Sequence, residues 1–145
     1  MFGLIFDVDG VIADTETINA KASALVFEEL FGIKGVKKED FEAGIGRGAE
    51  AYMLAAAEVH GLELSEDELK RAVSLRQEKF LEILSDEGLV PYPGVLELMQ
   101  EALKDPSWSV AIATSSTREK SEAVLKAARV PYRQMVYVTG SEVKS

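Results

Sequence analysis

The sequence reads Leu-Ile-Phe-Asp-Val-Asp-Gly at residues 4–10, a short apolar run that ends in two aspartates and a glycine. The run at residues 4–6 predicts a buried strand, because turn-forming residues bound its apolar side chains. Asp7 and Asp9 would then follow the carboxyl end of that strand, which is where ligands bind in an open α/β sheet. This stretch therefore sets both the expected fold and the expected site.

The spacing of the two aspartates favours a metal-binding role. Side chains alternate along an extended chain, so Asp7 and Asp9 begin on the same side. Two carboxylates so close repel each other unless a divalent cation or a shared proton intervenes. Mg²⁺ prefers oxygen ligands and keeps coordination positions for water and phosphate, while Gly10 lets the chain turn. The alternative is a solvated Asp-Gly turn that ends the strand.

Residues 7–11, Asp-Val-Asp-Gly-Val, followed by Asp14 and Thr15, resemble the first signature of the haloacid dehalogenase superfamily. Within it, the motif is similar to the branch that contains β-phosphoglucomutase and many small-molecule phosphatases. The resemblance implies that Asp7 is the nucleophile that accepts a phosphoryl group and that Asp9 is the general acid/base. It also implies a Mg²⁺ ion bound by Asp7 and by the backbone carbonyl of Asp9.

Composition narrows the class of protein. The chain has 145 residues, of which 47% are hydrophobic and 28% charged, which suits one globular core, alone or with a small insertion. Its net charge of −9 argues against binding nucleic acid or an anionic membrane. The absence of cysteine and the single histidine, His60, argue against thiolate chemistry and histidine-based metal sites. We expect a cytosolic protein, or one in an organelle stroma or matrix after transit-peptide removal.

The order of predicted elements indicates an α/β fold with a parallel sheet. A long block with helical periodicity follows the first strand, and further strands are predicted at residues 109–113 and 135–139, each preceded by a helix. Strands that alternate with helices form parallel sheets with right-handed crossovers. The plan resembles that of the superfamily, with a Rossmann-like core at residues 1–15 and 89–145 and an inserted helical cap at residues 16–88.

Finer expectations concern helix ends and packing. Ser65 with Glu68, and Ser116 with Glu119, match the capping-box pattern that marks helix starts. Helical spacing and apolar character predict inward-facing positions, and these are Met53, Leu54, Ala57, Leu98, Met99, Ala102, Tyr92 and Trp108.

Thr114-Ser115-Ser116 is the second chemical motif. It joins a predicted strand to a helix N-terminus, where unpaired amides and the helix dipole favour an anion. The alternative, compatible with the first, is that Ser116 only caps the helix. The resemblance implies that Thr114 hydrogen-bonds a phosphoryl oxygen and that the Ser115 amide assists, and Gly10 is grouped with them as a phosphate contact.

Arg47 is the third candidate for phosphate binding. It lies in a glycine-rich loop at residues 44–48, and its planar guanidinium suits phosphate oxygens. The alternative is an exposed arginine in a flexible turn. Related enzymes place an arginine in a comparable cap loop, but the basic and imidazole groups of the mutases are not evident here, since the corresponding positions carry Asn19 and Glu42-Ala43.

The resemblance leads us to expect a Mg²⁺-dependent phosphatase that acts on a small phosphorylated metabolite. A phosphosugar mutase and a non-catalytic binding domain are the alternatives. Relatives continue with a lysine and an acidic motif beyond the point where this sequence ends, although Lys144 is a candidate for the lysine. We therefore expect the chain to belong to a longer enzyme, and the 145 residues alone to show weak or no catalysis. The sequence does not predict an oligomeric state.

Overall fold

A computed structural model describes residues 1–143, so the predicted role of Lys144 lies outside the described residues. Within that range the chain forms three strands, five α-helices and two 3₁₀ helices. The strands are β1 (Phe2–Phe6), β2 (Trp108–Ala113) and β3 (Val136–Val138). The α-helices are α1 (Thr15–Phe31), α2 (Ala49–Val59), α3 (Glu66–Glu87), α4 (Val95–Lys104) and α5 (Arg118–Ala127), and the 3₁₀ helices are Lys38–Gly44 and Tyr132–Gln134.

The three strands form one parallel sheet in the order β1-β2-β3. Phe6 pairs with Ile112 at the end of β1, and Ala113 pairs with Val138 at the ends of β2 and β3. The predicted α/β fold with a parallel sheet is confirmed. Because the strands are parallel and in register, the segments that follow β1 and β2 leave the sheet at the same edge.

The chain divides into two compact units. One comprises Met1–Glu16 and Leu84–Ser145 and contains the sheet, and the other comprises Thr17–Ile83. Every residue of the second unit is described, and its regular structure is entirely helical. The assignment of catalytic core to residues 1–15 and 89–145, and of cap to residues 16–88, stays a prediction.

The helical unit has its own aromatic core. The Phe41 side chain is fully buried and stacks on Tyr52 with ring centroids 4.6 Å apart. Phe27 meets Phe41 edge to face at 6.1 Å, and Met53 is buried in the same cluster. This cluster holds α1, the 3₁₀ helix Lys38–Gly44 and α2 together.

The helices of the sheet-containing unit pack on one face of the sheet. Leu4 lines a pocket together with Leu98 and Ala102 of α4, and the Ser121 hydroxyl of α5 hydrogen-bonds the Tyr137 hydroxyl of β3. The register puts these strand residues on a common face, as expected when two successive right-handed crossovers run in the same direction. The exposed apolar positions of the other face, which we call the open face, are Ile5, Val136 and Val138.

Several packing predictions were wrong. The strand at residues 4–6 is not buried on both sides, since Ile5 is 70% exposed on the open face. Leu54 and Leu98 are exposed because they lie at the solvent margin of their helices. Tyr92 and Trp108 are also exposed, and Trp108 packs on the Phe2 ring at 5.2 Å instead of entering the core. The predicted spacing of apolar residues along the helices was thus correct, but too many positions around each helix were expected to be buried. The buried positions of Met53, Ala57, Met99 and Ala102 are confirmed.

The two predicted capping boxes have different outcomes. At α3 the Ser65 amide donates to Glu68 Oε2 at 2.8 Å, and the Glu68 amide donates to Ser65 Oγ at 3.3 Å, so the box is confirmed. At α5 the cap is Thr117, whose hydroxyl oxygen accepts from the Lys120 amide, and the prediction for Ser116 was wrong. The hydroxyl of Ser116 instead bonds Asp9.

Among the described residues, none of the helices combines the length and the apolar character needed to cross a membrane. The location of the protein stays a prediction.

Candidate active site

Asp7 and Asp9 follow β1, one on each side of a buried valine. Val8 is fully buried, whereas Asp7 is exposed and Asp9 is half-buried. The Asp7 Oδ1 atom accepts a 2.7 Å hydrogen bond from the Val8 amide. Burial of Val8 anchors the segment and leaves the Asp7 carboxylate at the solvent boundary, where a substrate can reach it.

A tight turn follows Asp9. Gly10 has φ of +72°, a backbone conformation that favours glycine, and its amide donates to the Ala13 carbonyl at 3.0 Å. The Ile12 carbonyl accepts from the Tyr92 amide at 2.8 Å, which ties the turn to the segment before α4. The structure thus explains Gly10 by the turn, and its role in phosphate binding stays a prediction.

Both carboxylate oxygens of Asp9 accept hydrogen bonds from hydroxyl groups. Thr15 Oγ1 donates to Asp9 Oδ1 at 2.7 Å, and Ser116 Oγ donates to Asp9 Oδ2 at 2.8 Å. Thr15 is the first residue of α1, and Ser116 lies between β2 and α5. The two sequence motifs, separated by more than a hundred residues, therefore meet at one carboxylate.

The loop at residues 114–116 continues directly from β2. Thr114 is buried, and its amide donates to the Val138 carbonyl at 3.1 Å. Its Oγ1 atom accepts from the Ser116 amide at 3.2 Å, so the hydroxyl proton of Thr114 remains available for a ligand. Ser115 is exposed. We call residues 114–116 the hydroxyl loop.

The charged groups present fit a hydrated Mg²⁺ ion. The described residues contain no group of three or more Asp, Glu or His side chains that could enclose a metal. Mg²⁺ does not need one, because it is commonly held by one or two carboxylates together with water and substrate phosphate. Asp7 offers an accessible carboxylate for this purpose, and Asp9 lies two residues further on.

Arg47 lies in the helical unit, in a loop with a defined backbone. Its amide donates to the Gly44 carbonyl at 3.1 Å, and its Nη1 atom donates to the Ala43 carbonyl at 3.4 Å. Gly46 and Gly48 flank it with φ of +75° and +95°. The guanidinium is exposed, and its binding to phosphate stays a prediction.

Sequence reasoning missed the residues that hold Asp9. The first signature includes Thr15 without a bonding role, and the second motif predicts an anion site at residues 114–116 with Ser116 as a compatible helix cap. A signal was present, because a hydroxyl residue just after a strand lies at the same sheet edge as the aspartates when the strands are parallel. The helix cap predicted for Ser116 was wrong, and its contact with Asp9 was not predicted.

The sequence pattern of the haloacid dehalogenase-like hydrolases matches residues 4–145. The chain belongs to this family. Its fold corresponds to the Rossmann-like core and helical cap of such enzymes, since it aligns with the crystal structure of a predicted phosphoglycolate phosphatase from Haemophilus somnus with a TM-score of 0.80. That alignment has 22% identity and covers 99% of this chain and 65% of the solved chain.

Two curated proteins are similar in sequence to this member of the haloacid dehalogenase-like family. Protein SUPPRESSOR OF QUENCHING 1, chloroplastic, from Arabidopsis thaliana is 32% identical over 130 residues, which are 86% of this chain and 12% of the relative. Protein CbbY from Rhodobacter capsulatus is 31% identical over 129 residues, which are 86% of this chain and 55% of the relative. The chain thus spans about half of CbbY and a small part of the plant protein.

Proposed function

We propose that this protein is a Mg²⁺-dependent phosphatase of small phosphorylated metabolites, working through an aspartyl-phosphate on Asp7. The observation that carries the proposal is the hydrogen bond from Ser116 to Asp9. It brings the paired aspartates and the hydroxyl loop to the same edge of the sheet. A nucleophile, a proton-transfer group and hydrogen-bond donors for phosphate are the components that this reaction requires. Family membership and the phosphatase name of the Haemophilus somnus neighbour support the same reaction class.

In the proposed reaction, Asp7 attacks the phosphorus atom and the bond to the leaving oxygen breaks. Asp9, in its protonated form, gives its proton to that oxygen. It then accepts a proton from the water that attacks the aspartyl-phosphate, which releases inorganic phosphate and restores Asp7. The hydroxyls of Thr15 and Ser116 keep the Asp9 carboxyl in one orientation for both proton transfers.

The hydroxyl loop is proposed to bind the phosphoryl oxygens. Thr114 can donate its hydroxyl proton because its oxygen, not its hydrogen, is used by the Ser116 amide. The Ser115 amide has no hydrogen-bond partner within the part of the chain that the structure describes. Mg²⁺ held by Asp7 and the Asp9 carbonyl would neutralise phosphate charge near two carboxylates. Arg47 is proposed as a further phosphate contact, through its exposed guanidinium.

The proposal is tested by phosphate release from a panel of phosphorylated acids and sugars, with and without Mg²⁺, using the protein as its cell makes it. We expect Asp7→Asn to lower turnover by at least about 10⁴-fold, as loss of a nucleophile does in other enzymes. Asp86→Asn is the matched control, because Asp86 is exposed near the end of α3. Acid-quenched wild-type protein should carry one phosphoryl group by mass, and Asp7→Asn should carry none.

Retained Mg²⁺-dependent phosphate release by Asp7→Asn would overturn the proposal. Conversion of a sugar phosphate into its isomer without release of phosphate would replace the phosphatase by a mutase. Both outcomes can be read from one ³¹P NMR time course, because free phosphate and the two sugar phosphates give separate signals.

A further inference from the structure

Gly140 packs against the hydroxyl loop more closely than any other residue type could. A Cβ atom placed on Gly140 would overlap the Ser115 carbonyl oxygen and would lie 2.9 Å from the Ser115 carbonyl carbon and 3.2 Å from the Ser116 carbonyl oxygen. The φ angle of Gly140 is outside the left-handed region. Close approach, and not backbone freedom, is therefore what requires glycine at this position.

The contact fixes a single peptide unit of the hydroxyl loop. This unit joins Ser115 to Ser116, and its carbonyl oxygen faces Gly140 while its amide donates to Thr114 Oγ1 at 3.2 Å. In addition, the Gly140 amide donates to the Ser116 carbonyl at 2.9 Å. A change at Gly140 would thus act on the Thr114 hydroxyl and on the backbone that carries the Ser116 side chain.

The segment that carries Gly140 is itself anchored on both sides. Thr139 is fully buried, and its amide donates to Glu142 Oε2 at 2.7 Å. Glu142 Oε1 pairs with the Arg118 guanidinium of α5, and the Arg118 amide donates to Ser141 Oγ at 3.0 Å. Hydrogen bonding by the Thr139 amide, followed by that of Arg118, lowers the pKa of Glu142, so its charge is favoured in the folded chain. Gly140 consequently has little freedom to move away from the hydroxyl loop.

We propose that Gly140 is a positioning residue for the hydroxyl loop, which sets the orientation of the Ser115–Ser116 peptide unit and through it the Thr114 and Ser116 hydroxyls. The inference rests on the proposed function, since the loop is taken to bind phosphate. It assigns a task to a residue that has no role in the proposed reaction itself. The effect is transmitted by the close approach of Gly140 to the Ser115 carbonyl and by its hydrogen bond to the Ser116 carbonyl.

The test compares Gly140→Ala with Gly3→Ala, which makes the same chemical change at a glycine whose Cβ position is open and whose φ is ordinary. Two readouts are needed: the backbone amide NMR signals of Ser115 and Ser116 in phosphate-free protein, and the affinity for inorganic phosphate in the presence of Mg²⁺. We expect Gly140→Ala to shift both amide signals and to weaken phosphate binding by about tenfold or more. Gly3→Ala should leave both unchanged.

The outcomes separate the inference from the proposed function. Wild-type affinity and unshifted amide signals in folded Gly140→Ala would overturn the inference, as would shifted signals with unchanged affinity. Failure of the wild-type protein to bind phosphate would instead overturn the proposed function, and with it any phosphate role for Gly140. If Gly140→Ala does not fold, Glu142→Gln serves as the second variant, because it releases the segment from Arg118 without adding an atom near Ser115. Unchanged amide signals and affinity in Glu142→Gln would then count against the inference.

Discussion

The Ser116 hydroxyl donates a 2.8 Å hydrogen bond to Asp9 Oδ2 across 107 positions of sequence. The other Asp9 oxygen accepts from Thr15, six residues away. A carboxylate with two hydroxyl donors has little rotational freedom, and hydrogen bonds to charged groups are worth about 1.5–3 kcal/mol each. Asp9 is thus oriented before any ligand arrives, which is the arrangement expected of a proton-transfer group.

Ser116→Ala removes the distant donor and leaves Thr15 in place. We expect turnover to fall by about ten- to a hundredfold, in line with the loss of one hydrogen bond to a charged acceptor. The loss should appear in turnover more than in the affinity for inorganic phosphate, because Ser116 holds the proton-transfer group. Ser85→Ala, at an exposed position of α3, is the control. Wild-type turnover in Ser116→Ala would contradict the role given to the Ser116–Asp9 hydrogen bond.

Asp40 makes the helical unit sensitive to acid. Its Oδ2 atom accepts from the Lys37 amide at 2.9 Å and contacts His60 Nε2 at 2.8 Å. The backbone hydrogen bond from Lys37, followed by the bond with His60, lowers the pKa of Asp40 below 3.8. The Asp40 carboxylate therefore binds a proton more weakly in the folded state than in the unfolded state. The contribution of Asp40 to stability is complete above about pH 4 and is lost as the pH falls through the lowered value.

Asp40→Asn measures this contribution. We expect its melting temperature to lie below that of the wild type at pH 6, and the difference to shrink as the pH falls below 4. Glu39→Gln, which neutralises the exposed neighbouring acid, should show a smaller effect at pH 6. A difference in melting temperature between Asp40→Asn and wild type that is the same at pH 6 and pH 3 would contradict this role of Asp40.

Phe41 carries much of the packing in the helical unit. Its ring is fully buried and contacts both Tyr52 and Phe27. Removal of a buried phenylalanine ring costs about 3–5 kcal/mol, so Phe41→Ala should lower the free energy of unfolding by about that amount. Leu54→Ala, on an exposed position of α2, should cost far less. Denaturant unfolding monitored by circular dichroism gives both values, and similar losses for the two variants would contradict this assignment of the core.

In the 145-residue chain taken alone, the open face of the sheet should promote self-association. Ile5 and Val136 are 70% and 66% exposed there, on two strands that form the edges of the sheet. Exposed apolar surface of this kind favours contact with a second molecule. We expect the double variant Ile5→Lys, Val136→Lys to scatter less light at high concentration with little change in melting temperature. Val90→Lys changes an exposed valine outside the sheet and should not reproduce the effect.

The parts of the fold that were predictable from sequence rest on local signals. The apolar run before Asp7 and the capping box at Ser65 each act within a few residues, and the strand and the helix start that they predict are confirmed. The parallel sheet was also predictable, because strands and helices alternate along the chain.

The contacts that were not predictable join distant segments. Ser116 could serve as a helix cap or as a partner of Asp9, and only the sheet register decides between them. The contact of His60 with Asp40 was unpredictable for the same reason, because twenty positions of sequence separate the two residues. The proximity of Gly140 to Ser115 has no signature in composition or periodicity, because it depends on where β3 ends relative to β2.

The pairing of Phe2 with Trp108 has a consequence for the order of events during synthesis. At about 5–20 residues per second, a ribosome needs on the order of 5–20 seconds to add the chain between β1 and β2. The aspartates of the site are made before the helical unit, and Ser116, the partner of Asp9, is made after it. A nascent chain therefore keeps an apolar strand unpaired for seconds, and that interval is when chaperones would have the greatest effect on yield.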